Sequence, residues 1–212
     1  REICNTHGVI LIFDEIISGF RVNIGGAQAE YDVLPDLTCL GKALGNGYPL
    51  SAIVGKKEIM KYMEEIFFSS TFGGETLSLA AAISNINKIE KCDVINVNKN
   101  SGRILISELN QILNNLDLTK YMTISDIDWW PQIIMGQNNS DLYTSLLRQE
   151  FLKNGLLISG TFNLCFAHSA EGILNNTINK FGKAVNVWKD YINSKNPEKY
   201  LKGGLIKKTF KV

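Results

Sequence analysis

Histidine and proline are scarce in this chain, with two and four residues among 212. The four cysteines, Cys4, Cys39, Cys92 and Cys165, are scattered without a C-x-x-C pair. That pattern excludes the common zinc spacings and a disulfide framework. Isolated thiols beside apolar neighbours predict buried free cysteines and a reducing compartment, the cytoplasm. An excess of either charge is also missing. With 22 Lys and Arg against 21 Asp and Glu, the net charge is +1, and nothing favours nucleic acid or an anionic membrane as partner. No apolar run approaches the roughly 18 residues of a membrane-spanning helix. What remains is 45% hydrophobic and 20% charged, a globular composition long enough for one large domain or two small ones.

The first residues, Arg1 to Gly8, read as the last turns of a helix stopped by glycine. A chain that opens inside a helix is expected to be the C-terminal portion of a longer subunit. Val9–Phe13 is an unbroken apolar run, the mark of a strand covered on both faces as in a parallel α/β sheet. Further strands are predicted near Leu37–Leu40 and Ser51–Gly55, and a short helix over Lys57–Met63. Phe67–Gly74 is a loop of hydroxyls and glycines. A long helix from Thr76 to about Lys91 is expected to bury Leu77, Ala80, Ala81, Ile83 and Ile86. After about Asn98 the pattern becomes α+β. Helices are predicted over Ile104–Leu116, Leu142–Lys153 and Ala170–Tyr191, and strands at Tyr121–Ile124, Gln132–Met135, Leu156–Ile158 and Asn163–Ala167. The division expected is therefore 1–97, part of a large α/β domain, and 98–212, a small α+β domain.

The strand GVILIFDE ends in two acids, and 28 residues after Asp14 comes Lys42, in the glycine-rich turn LGKALGNGYPL. Apolar flanks predict a partly desolvated amine able to attack an aldehyde, and a strand-end position predicts a buried Asp14. A carboxylate against a pyridine nitrogen favours the protonated ring, so this pairing suits a pyridoxal phosphate enzyme. Ile16 or Ile17 offers the ring an apolar floor. An apolar strand ending in Asp-Glu is also the Walker B pattern of ATPases. That reading needs a phosphate loop, G-x-x-x-x-G-K-[ST]. Asp36 stands where its first glycine belongs and Ala43 where its hydroxyl belongs, so the ATPase reading rests on residues outside this chain.

The strings LIFDEIISGFR, GGAQAEYDVLPDLTCLGKALGNGYPLSAIVG and SSTFGGETLSLAAA resemble the class III pyridoxal-phosphate-dependent aminotransferases, nearest to the glutamate-1-semialdehyde aminomutase-like branch. The likeness is continuous from Arg1 to about Lys91 and weaker beyond. It implies fold type I, with a mostly parallel sheet in the large domain. It also implies Lys42 as the Schiff-base lysine, Asp14 as partner of the pyridine nitrogen and Ile16 as the aliphatic residue against the ring. Thr71 is implied to reach the cofactor phosphate across a homodimer interface. Pyridoxal 5′-phosphate is the implied cofactor, and a small amino donor and a carbonyl acceptor are the implied partners.

Two departures stand out. Glu75 occupies a place where the branch often has Asn; a carboxylate there is expected to avoid the phosphate, turning to the substrate amine or the helix start. No arginine in LLISGTFNLCFAHS matches the carboxylate grip of ω-amino-acid relatives, which leaves Arg21 and Arg148 as the visible arginines and His168 as a strand-end histidine. The resemblance assigns the phosphate-binding turn and the stacked aromatic to an N-terminal half outside these residues. The chain alone is therefore expected to be inactive or nearly so. A non-catalytic remnant of the same fold is the remaining alternative.

Overall fold

The computed structural model describes residues 1–206, which divide into a unit spanning Arg1–Asn96 and a second from Val97 onward. The first unit opens with α1 (Glu2–His7), closed by Gly8 at φ 63°, a left-handed cap that costs glycine no Cβ clash. β1 (Ile12–Asp14), α2 (Gly26–Glu30), β2 (Leu37–Leu40) and β3 (Ala52–Gly55) follow. β1 and β2 run parallel, with Phe13 opposite Thr38 and Asp14 opposite Cys39. β3 returns antiparallel to β2, placing Ile53 opposite Cys39, so the sheet order is β1-β2-β3. α3 (Lys57–Met60) tightens into a 3₁₀ turn at Lys61–Glu64, and an exposed loop leads to α4 (Thr76–Lys91).

Two expectations fail here. Val9, Ile10 and Ile12 are 55%, 53% and 54% exposed, not covered on both faces. Among the described residues β1 is an edge strand with one partner, and of its apolar side chains Ile12 is open while Phe13 is half-buried. In α4 the expected face is wrong as well. Leu77 and Ile83 are exposed, while Ser78, Ala82 and Ile89 are buried. This inward stripe carries polar groups that find partners: Ser78 Oγ donates to Glu75 and Asn85 Nδ2 donates to the Ala43 carbonyl. Of the buried apolar residues only Val22, Leu44, Ala82 and Ile89 belong to the first unit. Its core is thin.

The second unit holds the larger core. α5 (Val94–Asn115) buries Leu105, Leu109 and Leu113, one stripe at four-residue spacing. β4 (Met122–Ile124) and β5 (Ile133–Met135) pair antiparallel, and the Asn110 side chain serves both backbone groups of Ile124. α6 (Asp141–Lys153) is N-capped by the Ser140 hydroxyl, which accepts from Tyr143 N. It packs on α7 (Ile173–Ile192), whose Phe181, Val185 and Trp188 are fully buried. Phe151 and Phe181 meet at 5.5 Å between ring centres, and Trp188 Nε1 donates to the Tyr143 carbonyl at 2.8 Å.

The strands predicted at Leu156–Ile158 and Asn163–Ala167 do not form. A single bridge, Gln132 to Thr161, is all the pairing this segment makes with the β5 side. Gly160 at φ 130° breaks the extended run, and Phe166–Ser169 winds into a 3₁₀ turn. All four cysteines are free thiols, yet none is buried: Cys4 and Cys39 are half-buried, and Cys92 and Cys165 are exposed.

Candidate active site

The carboxyl ends of β1 and β2 lie side by side because the two strands are parallel and in register from Ile12–Leu37 to Asp14–Cys39. That is the end of an α/β sheet where ligands are usually held. Asp14 is the last residue of β1, and Lys42 follows β2 by two residues, so topology brings the two singled-out residues to one edge. Asp14 is exposed, not buried. Its Oδ1 accepts from Ile16 N at 3.1 Å, which turns the carboxylate back over the strand end. No other partner engages it among the described residues.

The buried acid is its neighbour. Glu15 is 1% exposed. Its carboxylate accepts from Ala27 N at 2.7 Å, Gln28 N at 3.1 Å and Ser18 Oγ at 2.8 Å. The acid thus caps α2 at its positive end, while Glu15 N donates to the Cys39 carbonyl at 2.9 Å. Gly26, at φ 74°, leaves room for both oxygens; a Cβ there would lie 2.5 Å from each. Alternation along a strand sends adjacent side chains to opposite faces. One acid of the pair is tied into the fold, and the other stands exposed at the strand end.

Lys42 is also exposed. Its backbone holds φ 40°, a left-handed conformation that costs a non-glycine residue about 1–3 kcal/mol and concentrates at functional sites. The turn is closed by Leu44 N to the Gly41 carbonyl and Asn46 N to the Lys42 carbonyl, both at 2.9 Å. The amine makes no hydrogen bond or ion pair among the described residues. Ile16 packs at the foot of this turn, its Cγ2 3.5 Å from where a Gly41 Cβ would stand. A Cβ at 41 would meet Ile16 at ordinary van der Waals distance. The turn then opens into β3, not a helix, so it has no helix N-terminus to receive a phosphate. The Walker-type reading has no support in this geometry.

Asp36, the residue that breaks the phosphate-loop motif, is a structural hub. It accepts from Leu11 N at 2.8 Å and pairs with Lys56 at 2.6 Å and Arg1 at 2.8 Å. The Leu11 N–H, then Lys56 and Arg1, hold its carboxyl well below the usual aspartate range. Glu75 resolves toward the helix start. It caps α4 by accepting from Leu77 N and Ser78 N, both at 2.7 Å, and from Ser78 Oγ at 2.6 Å. The Ser78 hydroxyl, then the Leu77 and Ser78 amides, lower its pKa.

Thr71 is exposed in the loop between the 3₁₀ turn and α4, and no hydrogen bond joins it to Asp14 or Lys42. In the second unit Arg148 donates to the Ser159 carbonyl at 3.1 Å and lines a cavity of about 500 Å³ with Asn139 and Ser140. His168 Nδ1 accepts from Cys165 N at 2.9 Å, a turn-capping role. Glu15 and Asn85 are the contributors that sequence reasoning missed. The only signal for Glu15 was its place beside Asp14; for Asn85 there was none.

The class-III aminotransferase family model matches residues 1–161. A glutamate-1-semialdehyde 2,1-aminomutase from Ignicoccus hospitalis is 32% identical over 200 residues, covering 88% of this chain and 47% of the relative. One from Sulfurisphaera tokodaii is 34% identical over 202 residues, covering 87% and 48%. Among solved structures, an omega-transaminase from Sphaerobacter thermophilus superposes with a TM-score of 0.79 at 20% identity, over 89% of this chain and 47% of its own. The FumI protein of Sphingopyxis sp. MTA144, solved in a PLP internal aldimine form, gives 0.82 at 24% identity, over 94% and 48%. At these identities the superpositions establish the fold, that of transaminases of fold type I, and the chain spans about half the length of the relatives it matches. With a family model covering most of its residues, the chain belongs to the class-III aminotransferases.

Proposed function

We propose that this chain carries the lysine and aspartate of a pyridoxal-phosphate-dependent aminotransferase or aminomutase, whose activity belongs to the whole polypeptide. The carrying observation is the pair at the sheet's carboxyl end: an unengaged amine on a left-handed turn and an unburied carboxylate already oriented by the Ile16 amide. These residues fit the cofactor, since the Lys42 amine is unpaired among the described residues and the Asp14 carboxylate is engaged only by the Ile16 amide. When bound, pyridoxal phosphate supplies an aldehyde for amine capture and a ring that takes up electrons from the substrate's Cα. Lys42 would hold the group through its amine and would serve as the base that moves a proton at the substrate's Cα. Asp14 holds the ring nitrogen protonated by placing a negative charge beside it. Ile16 would offer the ring an apolar contact, and the Thr71 hydroxyl would hold the phosphate from a partner subunit of a homodimer. Partners are a small amino donor and a carbonyl acceptor; the names of the relatives at 32–34% identity favour a shift of the amino group within one molecule.

Exposed Val9, Ile10 and Ile12 and the open edge of β1 support the dependence on further polypeptide. No helix among the described residues is long and apolar enough to cross a membrane, and free thiols favour the cytoplasm. The test is spectroscopic. With pyridoxal phosphate, the whole polypeptide should absorb near ~420 nm, as expected of a lysine imine. Borohydride should abolish the band and leave the label on Lys42. Lys42→Ala should lose band and turnover while keeping its fold; turnover surviving in that variant ends the assignment. A folded, unsubstituted protein without the band would be a non-catalytic remnant.

A further inference from the structure

Lys42 has a direction to maintain and little of its own to maintain it with. Its amine has no partner among the described residues, so its aim depends on the backbone that carries it. That backbone is under strain: φ is 40° at Lys42 and 46° at Asn46, both left-handed without being glycine. Such conformations persist when surrounding structure over-determines them. Within the turn, the carbonyls of Gly41 and Lys42 are taken by the amides of Leu44 and Asn46. The next carbonyl, Ala43, points to a different element. It accepts from Asn85 Nδ2 at 2.6 Å, and the Leu44 carbonyl lies 3.4 Å from the same nitrogen.

Asn85 comes from the middle of α4, 42 residues away in sequence. Its stripe on the helix is the buried one, in step with Ser78, Ala82 and Ile89. Three features fix that stripe: the Glu75 cap, the Ser78 hydroxyl bonded to it and the burial of Ala82 and Ile89. The amide is therefore presented from a rigid element, while the turn it grips is not part of any ladder.

We propose that Asn85 is a positioning residue for Lys42. By holding the Ala43 carbonyl it keeps the turn in its left-handed form and so keeps the amine aimed over the end of the sheet. The inference rests on the reading of Lys42 as the cofactor-binding amine, and goes beyond it in assigning a role to a residue that touches neither cofactor nor substrate.

The experiment has two arms, both on the whole protein. The first needs no cofactor: amide hydrogen exchange at Leu44 and Asn46 in Asn85→Leu, which fills the same space without a donor. Exchange there should quicken about tenfold, the worth of one hydrogen bond, with α4 amides unchanged. Equal exchange overturns the clamp. The second arm measures the rate at which Lys42 condenses with pyridoxal phosphate, losing water to form an imine that borohydride reduces to a stable secondary amine. It also measures the pH midpoint of the visible band. Asn85→Leu should slow trapping about tenfold and move the midpoint, Asn85→Gln should restore both in part, and Asn87→Leu, on the exposed face of α4, should change neither. Faster exchange with unaltered trapping and midpoint overturns the positioning role. If unsubstituted protein is never trapped at Lys42, the functional reading falls and the positioning role with it, while the exchange arm still decides the contact. Should Asn85→Leu fail to fold, Asn85→Ser, too short to reach the carbonyl, serves in both arms.

Discussion

Asp14 and Glu15 are adjacent carboxylates, and removing the charge of each should have opposite consequences. Glu15→Gln keeps the shape of the side chain but replaces one accepting oxygen with an NH₂ group. Three donors converge on that carboxylate in a site 1% exposed: Ala27 N, Gln28 N and Ser18 Oγ. The new NH₂ faces at least one backbone N–H, so two donors cannot both be satisfied. Hydrogen bonds to a charged group contribute about 1.5–3 kcal/mol each, and a stranded buried donor costs a similar amount. A loss of about 2–4 kcal/mol from the first unit follows. Fluorescence is a poor assay, because Trp129, Trp130 and Trp188 all lie in the second unit. Amide exchange at Ala27 and Gln28 reads the contact directly and should quicken by about 30-fold or more. Asp14→Asn, exposed at the strand end, should leave those amides and the thermal midpoint unchanged. In the loaded whole enzyme it should keep the cofactor yet slow Cα proton abstraction by about 10²-fold or more, as when a preorganised charge is removed. If Asp14→Asn destabilises the fold more than Glu15→Gln, the division of labour between the two acids is wrong.

Asp36 gives the first unit an acid limit. Its folded pKa lies below the ordinary 3.8, so its contribution is complete above that value and is lost as pH falls toward the folded one; acid titration followed by circular dichroism should show Asp36→Asn already destabilised at neutral pH and less sensitive below about pH 4. Glu75→Gln should weaken the first turn of α4, read as faster exchange at Leu77 and Ser78, since its lowered pKa has the same sign. Gly102→Ala would put a Cβ 1.8 Å from the Asp128 carbonyl. Backbone cannot yield cheaply there, and a loss of about 2–3 kcal/mol should appear in tryptophan-monitored urea unfolding. Thr71→Ala should loosen cofactor retention in the whole enzyme more than it alters turnover at saturating cofactor, measured by dialysis and by rate.

Much of this chain is decided within a few residues of each position. The Gly8 cap, the β2 and β3 strands, the span of α4 from Thr76 and the stop of α6 before Gly155 follow from glycine's freedom, β-branching and helical periodicity, which act locally. So does the presence of a lysine in a glycine-rich turn after an apolar strand. Periodicity states which residues share a face but not which face is covered. For that reason the burial of Glu15 rather than Asp14, the inward turn of Ser78 rather than Leu77 and the exposure of Val9 and Ile10 were settled only by what packs, or fails to pack, in three dimensions. Leu156–Ile158 looked extended by composition, yet Gly160 and the single bridge at Thr161 leave it without a ladder. Asn85 is the clearest case: its meaning lies in a carbonyl 42 residues away, and only folding brings the two within reach of a hydrogen bond.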